Sequence, residues 1–241
     1  CIRDSNNLIV SANLINECIT YETKVIFTSS MAVYGDQTPP FTEDKRPQPI
    51  DPYGIAKYAV ECDLKLANEQ FGLRYNIVRP HNVLGVYQNI WDRYRNVIGI
   101  FIRKALNGQP ILVYGDGEQT RAFSDIKYYM EPFDKLLTDH DGEIFNIGAD
   151  KHFSLNEVAE TVQSIAKKYN YEVPIEHGEP RHEVKHAYCD HTKAKTLLKF
   201  EDNTNLNELI ESMFVWAMKQ PNRKVKDMEY EVTKDIYDYW K

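Results

Sequence analysis

The chain has 241 residues and a formal net charge of −7, with 29 Lys and Arg against 36 Asp and Glu. Its 42% hydrophobic and 27% charged residues are typical of a globular protein and exclude a disordered, collagen-like or coiled-coil chain. At this length we expect one domain or two small lobes. Because the charge is modestly acidic and the sequence has no stripe of Lys and Arg, we expect neither nucleic acid nor a membrane surface as a partner.

The four cysteines are far apart and form no C-x-x-C pair, which predicts free thiols in a reducing compartment. They are Cys1, Cys18, Cys62 and Cys189. No apolar run approaches the roughly 18 to 20 residues of a membrane span, and we find no pattern of a signal peptide. We therefore expect a cytoplasmic protein.

Helical and strand patterns alternate in the first part of the chain. Apolar residues recur at helical spacing over 8–19, and the apolar run 25–27 predicts a buried strand that ends in Thr28-Ser29-Ser30. Asp51 and Pro52 supply an N-cap and a first-turn proline, so the next helix is predicted to begin there. The predicted apolar face of this helix consists of Ile55, Ala59, Cys62 and Leu66. Gly72 is predicted to end it, before a buried strand at 75–78.

The second part predicts a helix over 97–106, a strand over 111–114 and a strand over 144–148. Gly115 and Gly117 predict a turn after the strand 111–114. Ser154, with Glu157 three residues later, predicts the capping box of a further helix. Alternation of helices and apolar strands is the pattern of a parallel α/β sheet, whose strand ends are the expected place of a ligand site.

Tyr53 and Lys57 are four residues apart near a helix start, so a phenol and an ammonium group share one face. A phenol with a pKa of about 10 is a poor base at neutral pH, and a nearby Lys charge lowers that pKa. Tyr53 is therefore a candidate proton carrier. The spacing alone also fits two exposed helix residues, but Ser29 and Ser30 follow the preceding strand and are predicted to lie at the same sheet edge.

A strand-end serine, a proline-rich loop and Y-x-x-x-K together resemble a known family. The chain resembles the extended short-chain dehydrogenase/reductases and, within them, the nucleotide-sugar epimerase and dehydratase group, most of all the UDP-glucose 4-epimerases. The resemblance is carried by 27–35 (FTSSMAVYG), 52–57 (PYGIAK), 79–85 (RPHNVLG), 114–121 (YGDGEQTR), 145–148 (FNIG) and 179–181 (EPR). The order and spacing of these segments make the resemblance specific.

The resemblance implies an α/β fold in which a partial Rossmann-like, doubly wound parallel sheet is followed by a smaller C-terminal α/β substrate-binding lobe. Residues 1–80 are expected to contribute the remaining part of the NAD-binding domain. Residues 81–241 are expected to form mainly the sugar-nucleotide lobe, with returns to the Rossmann sheet near 120–148. The G-x-x-G-x-x-G half is missing from the sequence, which also starts at Cys1, so we expect an N-terminally truncated chain.

The resemblance also implies roles for individual residues. Ser30, Tyr53 and Lys57 correspond to the catalytic residues: Ser30 to the hydroxyl that hydrogen-bonds the reacting oxygen, Tyr53 to the acid/base, and Lys57 to the residue that binds the nicotinamide ribose. The cofactor is NAD, and its expected contacts are Ser29, Tyr53, Lys57, Pro80 and His81. For His81 a contact with the nicotinamide side and a hydrogen bond to a loop carbonyl remain equally open.

The implied UDP-sugar site consists of Ser30, Asn82, Asn96, Val97, Leu112, Tyr114, Arg121, Arg181 and Ala187. Asn82 corresponds to an asparagine that contacts the sugar diphosphate, and Leu112 and Tyr114 to the strand against which uracil stacks. Arg121 and Arg181 correspond to two arginines that clamp the diphosphate, a task that suits a planar, permanently charged group.

The implied reaction is epimerisation at C4 through a transient 4-keto sugar. Dehydratases and decarboxylases of the group carry acidic residues where this chain has Met31 and Ala32, which favours the epimerase. The small Ala187 leaves room for an N-acetyl group, so acetylated UDP-sugars are also candidate substrates. In the family the Tyr-Lys helix and the helix before Ser30 form a dimer interface, which implies a homodimer.

Two other functions remain open: an inactive fragment that only binds UDP-sugar, and a sibling dehydratase or reductase. The segment 182–186 (HEVKH) matches the H-E-x-x-H zinc pattern, but it follows Gly178-Glu179-Pro180 and precedes a strand-like stretch, so we expect no metal site. The segment 125–129 (DIKYY) departs from the family pattern, which predicts altered packing between the lobes.

Overall fold

The computed structural model describes residues 5–91, 96–180, 184–221 and 223. The helices are α1 (Ser5–Thr20), α2 (Pro52–Phe71), α3 (Val97–Leu106), α4 (Met130–Thr138), α5 (Leu155–Lys168), α6 (Thr192–Leu198) and α7 (Leu206–Met218). The strands are β1 (Val25–Thr28), β2 (Tyr75–Pro80), β3 (Val83–Leu84), β4 (Ile111–Tyr114), β5 (Thr120–Ala122), β6 (Ser124–Asp125), β7 (Glu143–Ile147), β8 (His152–Ser154), β9 (Ile175–Gly178) and β10 (His186–Ala187). In these ranges, none of the helices is long and apolar enough to cross a membrane.

Strands β1, β2 and β7 form a parallel sheet with β2 in the centre. Successive residues of a strand point to opposite faces, so Ile77 and Val78 of β2 pack into different apolar clusters. The cluster around Ile77 includes residues of α1 and α2, and the cluster around Val78 includes residues of α4 and α6. Helices thus cover both faces of the sheet, which confirms the predicted α/β architecture with a Rossmann-like sheet.

Helix α2 begins and ends where the sequence predicts. The carboxylate of Asp51 accepts a hydrogen bond from the amide of Gly54 at 2.7 Å, and Gly72 adopts φ 71° at the C-cap. The predicted apolar face was wrong, because Ile55 and Leu66 are about half exposed. The face that packs on the sheet is formed by Ala56, Val60, Leu64 and Ala67.

The largest apolar cluster lies in the part of the chain that follows β2. It joins α3, α5 and α7 to the two-stranded parallel sheet of β4 and β9. The predicted capping box of α5 is confirmed, since Ser154 and Glu157 exchange side-chain to backbone hydrogen bonds of 3.1 and 2.7 Å. Sequence periodicity did not predict α4, α6 or α7.

Two small sheets join these clusters. Strand β5 pairs with β10 in parallel and with β8 in antiparallel, and β3 pairs with β6. In the segment 125–129, for which the sequence predicts altered packing, Tyr129 is buried and donates its hydroxyl to the carbonyl of Ile147 at 2.8 Å. This hydrogen bond ties the segment to the end of β7.

Two buried histidines stack at the carboxyl end of β2. The rings of His81 and His191 lie 5.0 Å apart at 16°, and His81 packs against Gly148 so closely that a Cβ there would lie 2.1 Å from the imidazole. Burial, and secondarily the charge of His191, lowers the pKa of His81 to about 3. The folded protein therefore favours the neutral form of His81 at physiological pH.

We expect His81 to make folding sensitive to mild acid. The unfolded chain binds a proton at His81 below a pKa of about 6.5, whereas the folded chain does not, so stability is present above that pH and is lost as the pH falls. Between pH 8 and pH 5 the loss is about 2 kcal/mol. In the His81→Phe variant, the free energy of unfolding measured with denaturant should change less between pH 8 and pH 5 than in the parent protein. The same substitution at the exposed His152 is the control, and an unchanged profile for His81→Phe would contradict the prediction.

Candidate active site

A cavity of about 490 Å³ lies at the carboxyl ends of β1 and β2. Parallel pairing brings the segments that follow these strands to one edge of the sheet, as the sequence pattern predicts. The cavity is lined by Ser30, Met31, Ala32, Gly35, Asp36, Phe41, Ile50, Asp51, His81, Asn82, Arg121, Val184 and Ala187. Five predicted site residues therefore meet in it: Ser30, His81, Asn82, Arg121 and Ala187.

Ser30 and Ser29, which follow β1, point in different directions. Ser30 is the N-cap of a short 3-10 turn, Met31–Tyr34, and its oxygen accepts the amide of Ala32 at 3.1 Å. The hydroxyl proton of Ser30 can still be donated, because a serine oxygen accepts and donates at the same time. Ser29 is buried and donates to the carboxylate of Glu61 at 2.5 Å. This hydrogen bond directs Ser29 into the protein and not towards the cavity, which does not support its predicted contact with a cofactor.

Tyr53 and Lys57 lie on the first two turns of α2, beside the cavity residue Asp51. Tyr53 is 40% exposed, so its phenol is accessible to a ligand at this edge. The Lys57 ammonium lies 5.8 Å from the centroid of the Tyr53 ring and donates to the carbonyl of Thr28 at 2.9 Å. The predicted pair is thus adjacent, and Lys57 also contacts the end of β1.

The segment after β2 contributes Pro80, His81 and Asn82. Pro80 is the last residue of β2, and it is not among the residues that line the cavity. Nδ1 of the buried His81 has no hydrogen-bond partner among the described residues. Asn82 has φ 42°, a conformation that asparagine tolerates better than most residues, and its amide donates to the carbonyl of Ala122 at 2.9 Å.

Arg121 and Ala187 are neighbours because β5 and β10 pair in parallel with these two residues in register. The Arg121 guanidinium donates to the carbonyls of Thr120 at 2.8 Å and Lys185 at 3.1 Å. It also donates to the carbonyl of Val184. These contacts fix the guanidinium group at the cavity wall, next to the small, buried side chain of Ala187.

Other predicted substrate residues lie away from this cavity. Tyr114 lines a second cavity of about 850 Å³, together with Gly115, Asp116, Gln119, His177, Gly178, Glu179, Pro180 and Lys185. Leu112 lies on the same strand, β4, and its side chain packs close to Gly178. Asn96 caps α3 with a 3.1 Å hydrogen bond from the amide of Ile98, and Val97 packs against the large apolar cluster. The positions of Asn96 and Val97 give both a structural role.

Arg181, His182 and Glu183 lie outside the described residues. The predicted second arginine and the H-E-x-x-H pattern are therefore not addressed by the structure. In the described part of the chain, no group of three or more His, Cys, Asp or Glu side chains is arranged to hold a metal ion.

Sequence patterns missed the loop between β1 and α2 as part of the cavity. Phe41 and Ile50 of this loop line the cavity, and Phe41 forms a parallel bridge with Cys189. Backbone hydrogen bonds of 3.0 and 2.8 Å connect Phe41 to Tyr188 and Asp190. The position of this loop in the sequence could have predicted its role. A loop between a strand-end serine and the Tyr-Lys helix must cross the carboxyl edge of the sheet.

Comparisons with known proteins agree with this geometry. Residues 4–148 match the model of the NAD dependent epimerase/dehydratase family. The UDP-N-acetyl-alpha-D-glucosaminuronate decarboxylase of Bacillus cytotoxicus is 33% identical over 221 residues, which cover 87% of this chain and 68% of that protein. The putative UDP-glucose 4-epimerase of Methanocaldococcus jannaschii is also 33% identical, over 90% of this chain and 70% of that protein.

Among solved structures, the UDP-glucose 4-epimerase of Thermotoga maritima with UDP-glucose has a TM-score of 0.79 and 31% identity. The similarity covers 88% of this chain and 69% of that one. The family model covers more than half of the sequence, and the relatives are similar over most of it. The chain therefore belongs to the NAD-dependent epimerase/dehydratase family.

Proposed function

We propose that this protein is an NAD-dependent nucleotide-sugar epimerase that interconverts UDP-glucose and UDP-galactose at C4 through a transient 4-keto sugar. One observation carries the proposal. Ser30, Asn82, Arg121 and Ala187 line one cavity at the sheet edge where the helix with Tyr53 and Lys57 begins. This arrangement combines a hydroxyl donor, a cation for phosphate and a nearby phenol.

The residues at this edge fit the nicotinamide end of NAD. The accessible Tyr53 and the adjacent Lys57 suit the ribose, and the buried His81 in the wall of the cavity has an Nδ1 without a hydrogen-bond partner among the described residues. When bound, NAD would supply the acceptor and donor of a hydride. The sequence has no G-x-x-G-x-x-G segment, so we assign no residue to the pyrophosphate.

In the proposed reaction, Tyr53 takes the proton of the sugar hydroxyl and later returns one. The charge of Lys57 favours the phenolate form of Tyr53, which brings a phenol closer to useful basicity at neutral pH. The Ser30 hydroxyl donates to the reacting oxygen while its own oxygen accepts from Ala32. Arg121 binds the diphosphate and so keeps the sugar in the cavity while the 4-keto group turns.

The cavity favours epimerisation over its sibling reactions. Met31 and Ala32, which line it next to Ser30, carry no acidic group for elimination or decarboxylation. Of the two carboxylates at the cavity, Asp51 caps α2. Asp36 is exposed and remains available, so a dehydratase, decarboxylase or reductase is the second candidate, favoured by the similarity to a decarboxylase. A protein that only binds UDP-sugar is the third.

The purified full-length protein, supplied with NAD⁺ and UDP-glucose, is expected to form UDP-galactose. Replacement of Tyr53 with Phe should lower kcat by about 10²- to 10⁴-fold, because it removes the proton carrier. Tyr58→Phe, which removes a hydroxyl from the same helix, is the matched control and should retain activity. Product analysis by NMR, with UDP-glucose and in a parallel reaction with UDP-glucuronate, separates the candidates. A deoxygenated product from UDP-glucose or a decarboxylated product from UDP-glucuronate would contradict epimerisation of UDP-glucose, and binding of both sugars without turnover would favour the third candidate.

The small Ala187 side chain is expected to admit an N-acetyl group at C2 of the sugar. The full-length protein should then also interconvert UDP-GlcNAc and UDP-GalNAc. Replacement of Ala187 with Tyr should lower kcat/KM for the acetylated sugars by about 10-fold or more relative to UDP-glucose, because the pocket is filled. Turnover of UDP-glucose without turnover of either acetylated sugar would remove this hypothesis.

A homodimer through α1 and α2 is also part of the proposal. These helices pack against each other and leave large apolar side chains about half exposed, among them Leu14, Ile55 and Leu66. A surface of this kind is typical of a protein interface. Sedimentation velocity should therefore show a dimer that Ile55→Lys dissociates. The same change at the exposed Leu137 of α4 is the control, and a monomeric parent protein would contradict the prediction.

A further inference from the structure

Glu61 and Arg79 form a buried ion pair beneath the candidate active site. Their side chains are 0% and 1% exposed. Arg79 binds the carboxylate with two parallel hydrogen bonds, from Nε to Oε1 at 3.0 Å and from Nη2 to Oε2 at 2.6 Å. Such a bidentate pair fixes orientation as well as distance. Neither residue lines the cavity, and the proposed reaction does not use them.

Glu61 belongs to the same side of α2 as the proposed catalytic pair. Tyr53, Lys57 and Glu61 follow one another at intervals of four residues, which places them in a row along the helix. Lys57 donates to the carbonyl of Thr28, and Glu61 accepts from Ser29. Two successive turns of α2 are thus attached to the end of β1, directly before Ser30.

The other side of the Arg79 guanidinium contacts the turn that Ser30 caps. Nη1 of Arg79 donates to the hydroxyl of Tyr34 at 2.8 Å, and the guanidinium lies 4.8 Å from the centroid of the Tyr34 ring. The Tyr34 hydroxyl in turn donates to Asn146 of β7 at 2.8 Å. Arg79 therefore bridges the helix that carries Tyr53 and the 3-10 turn that begins after Ser30.

Stability alone is a weak reason for such a pair. Desolvation of two charges offsets much of their attraction, and apolar residues of similar volume are often equally stable in their place. What an apolar pair cannot reproduce is the set of directed hydrogen bonds to Ser29 and Tyr34. The ion pair therefore contributes mainly by fixing the relative positions of the segments that it connects.

We propose that Glu61 and Arg79 are positioning residues that hold Tyr53 and Lys57 at a fixed distance from Ser30. This inference rests on the proposed function, since it assigns to the ion pair the spacing of the groups that move the proton. A displacement of about 1 Å at reacting groups can cost about 100-fold in rate. The pair acts through the backbone of α2 and the turn, without touching the substrate.

The test is the double variant Glu61→Leu/Arg79→Met of the full-length protein, which removes both charges and keeps the apolar volume. We expect it to fold, with kcat lowered about 100-fold and KM nearly unchanged. Without substrate, the pKa of Tyr53 should rise by one unit or more, because Lys57 is no longer held beside it. That pKa is read from tyrosinate absorbance, with the Tyr53→Phe version of each protein subtracted.

Val162→Ala in α5 is the control, because it removes buried volume far from the sheet edge and should change neither kcat nor the titration. A folded double variant with parental kcat and parental Tyr53 titration would overturn the inference. If the double variant fails to fold, Ser29→Ala and Tyr34→Phe each remove one hydrogen bond to the pair without leaving either buried charge unpaired. Each of these two variants should have a lower kcat than the parent protein, and an unchanged kcat in both would overturn the inference.

A failure of the proposed function can be distinguished from a failure of the positioning inference. An ordinary titration of Tyr53 in the parent protein, near pH 10, would contradict its acid/base role. In that case, crystal structures of the parent protein and the double variant test whether the ion pair sets the separation between Ser30 and Tyr53. A shift of about 1 Å or more between Ser30 and Tyr53 supports the inference, and an unchanged separation overturns it.

Discussion

The parallel pairing of β1, β2 and β7 is the constraint on which the candidate site depends. Since the strands run in one direction, the residues that follow each of them must emerge at the same edge. Ser30 follows β1, Asn82 follows β2, and Gly148 follows β7 against the ring of His81. Helix α2 returns to this edge with its N-terminus, which is where Tyr53 and Lys57 lie.

Polar groups inside the protein define this edge as much as apolar packing does. Buried polar side chains retain their hydrogen bonds only in one arrangement, so they select a geometry where apolar contacts allow several. Five side chains from separate parts of the fold, Ser29, Glu61, Arg79, Tyr34 and Asn146, form one connected set of hydrogen bonds. These buried hydrogen bonds fix the segments that lie under the cavity. Apolar clusters supply most of the burial on both faces of the sheet.

The two parts of the chain meet through short strands and one loop. Strands β5 and β10 place Arg121 and Ala187 on the cavity wall, and the loop around Phe41 reaches Cys189. A sugar nucleotide bound here would contact both parts at once. This arrangement would let a bound sugar nucleotide contact the proposed phosphate-binding Arg121 in the cavity wall while it reaches the proposed proton carrier Tyr53 at the adjacent start of α2.

Local signals in the sequence were enough for the elements whose ends carry specific chemistry. Asp51 with Pro52, Gly72, and Ser154 with Glu157 marked helix ends correctly, because capping is decided by a few adjacent residues. The buried face of α2 was not predictable in this way. Its two candidate faces are both apolar, and only contact with α1, β1 and β2 buries the one with Val60 and Leu64.

The sequence by itself determined the family, the alternation of helix and strand and the pair Tyr53 and Lys57, because these depend on residue order and short spacing. Only the tertiary structure decided that Ser29 turns inward to Glu61 while Ser30 lines the cavity. The same holds for the ion pair of Glu61 and Arg79, which are 18 positions apart, and for the stack of His81 and His191. Contacts between distant residues carry no local pattern, since they exist only once the sheet and its helices are packed.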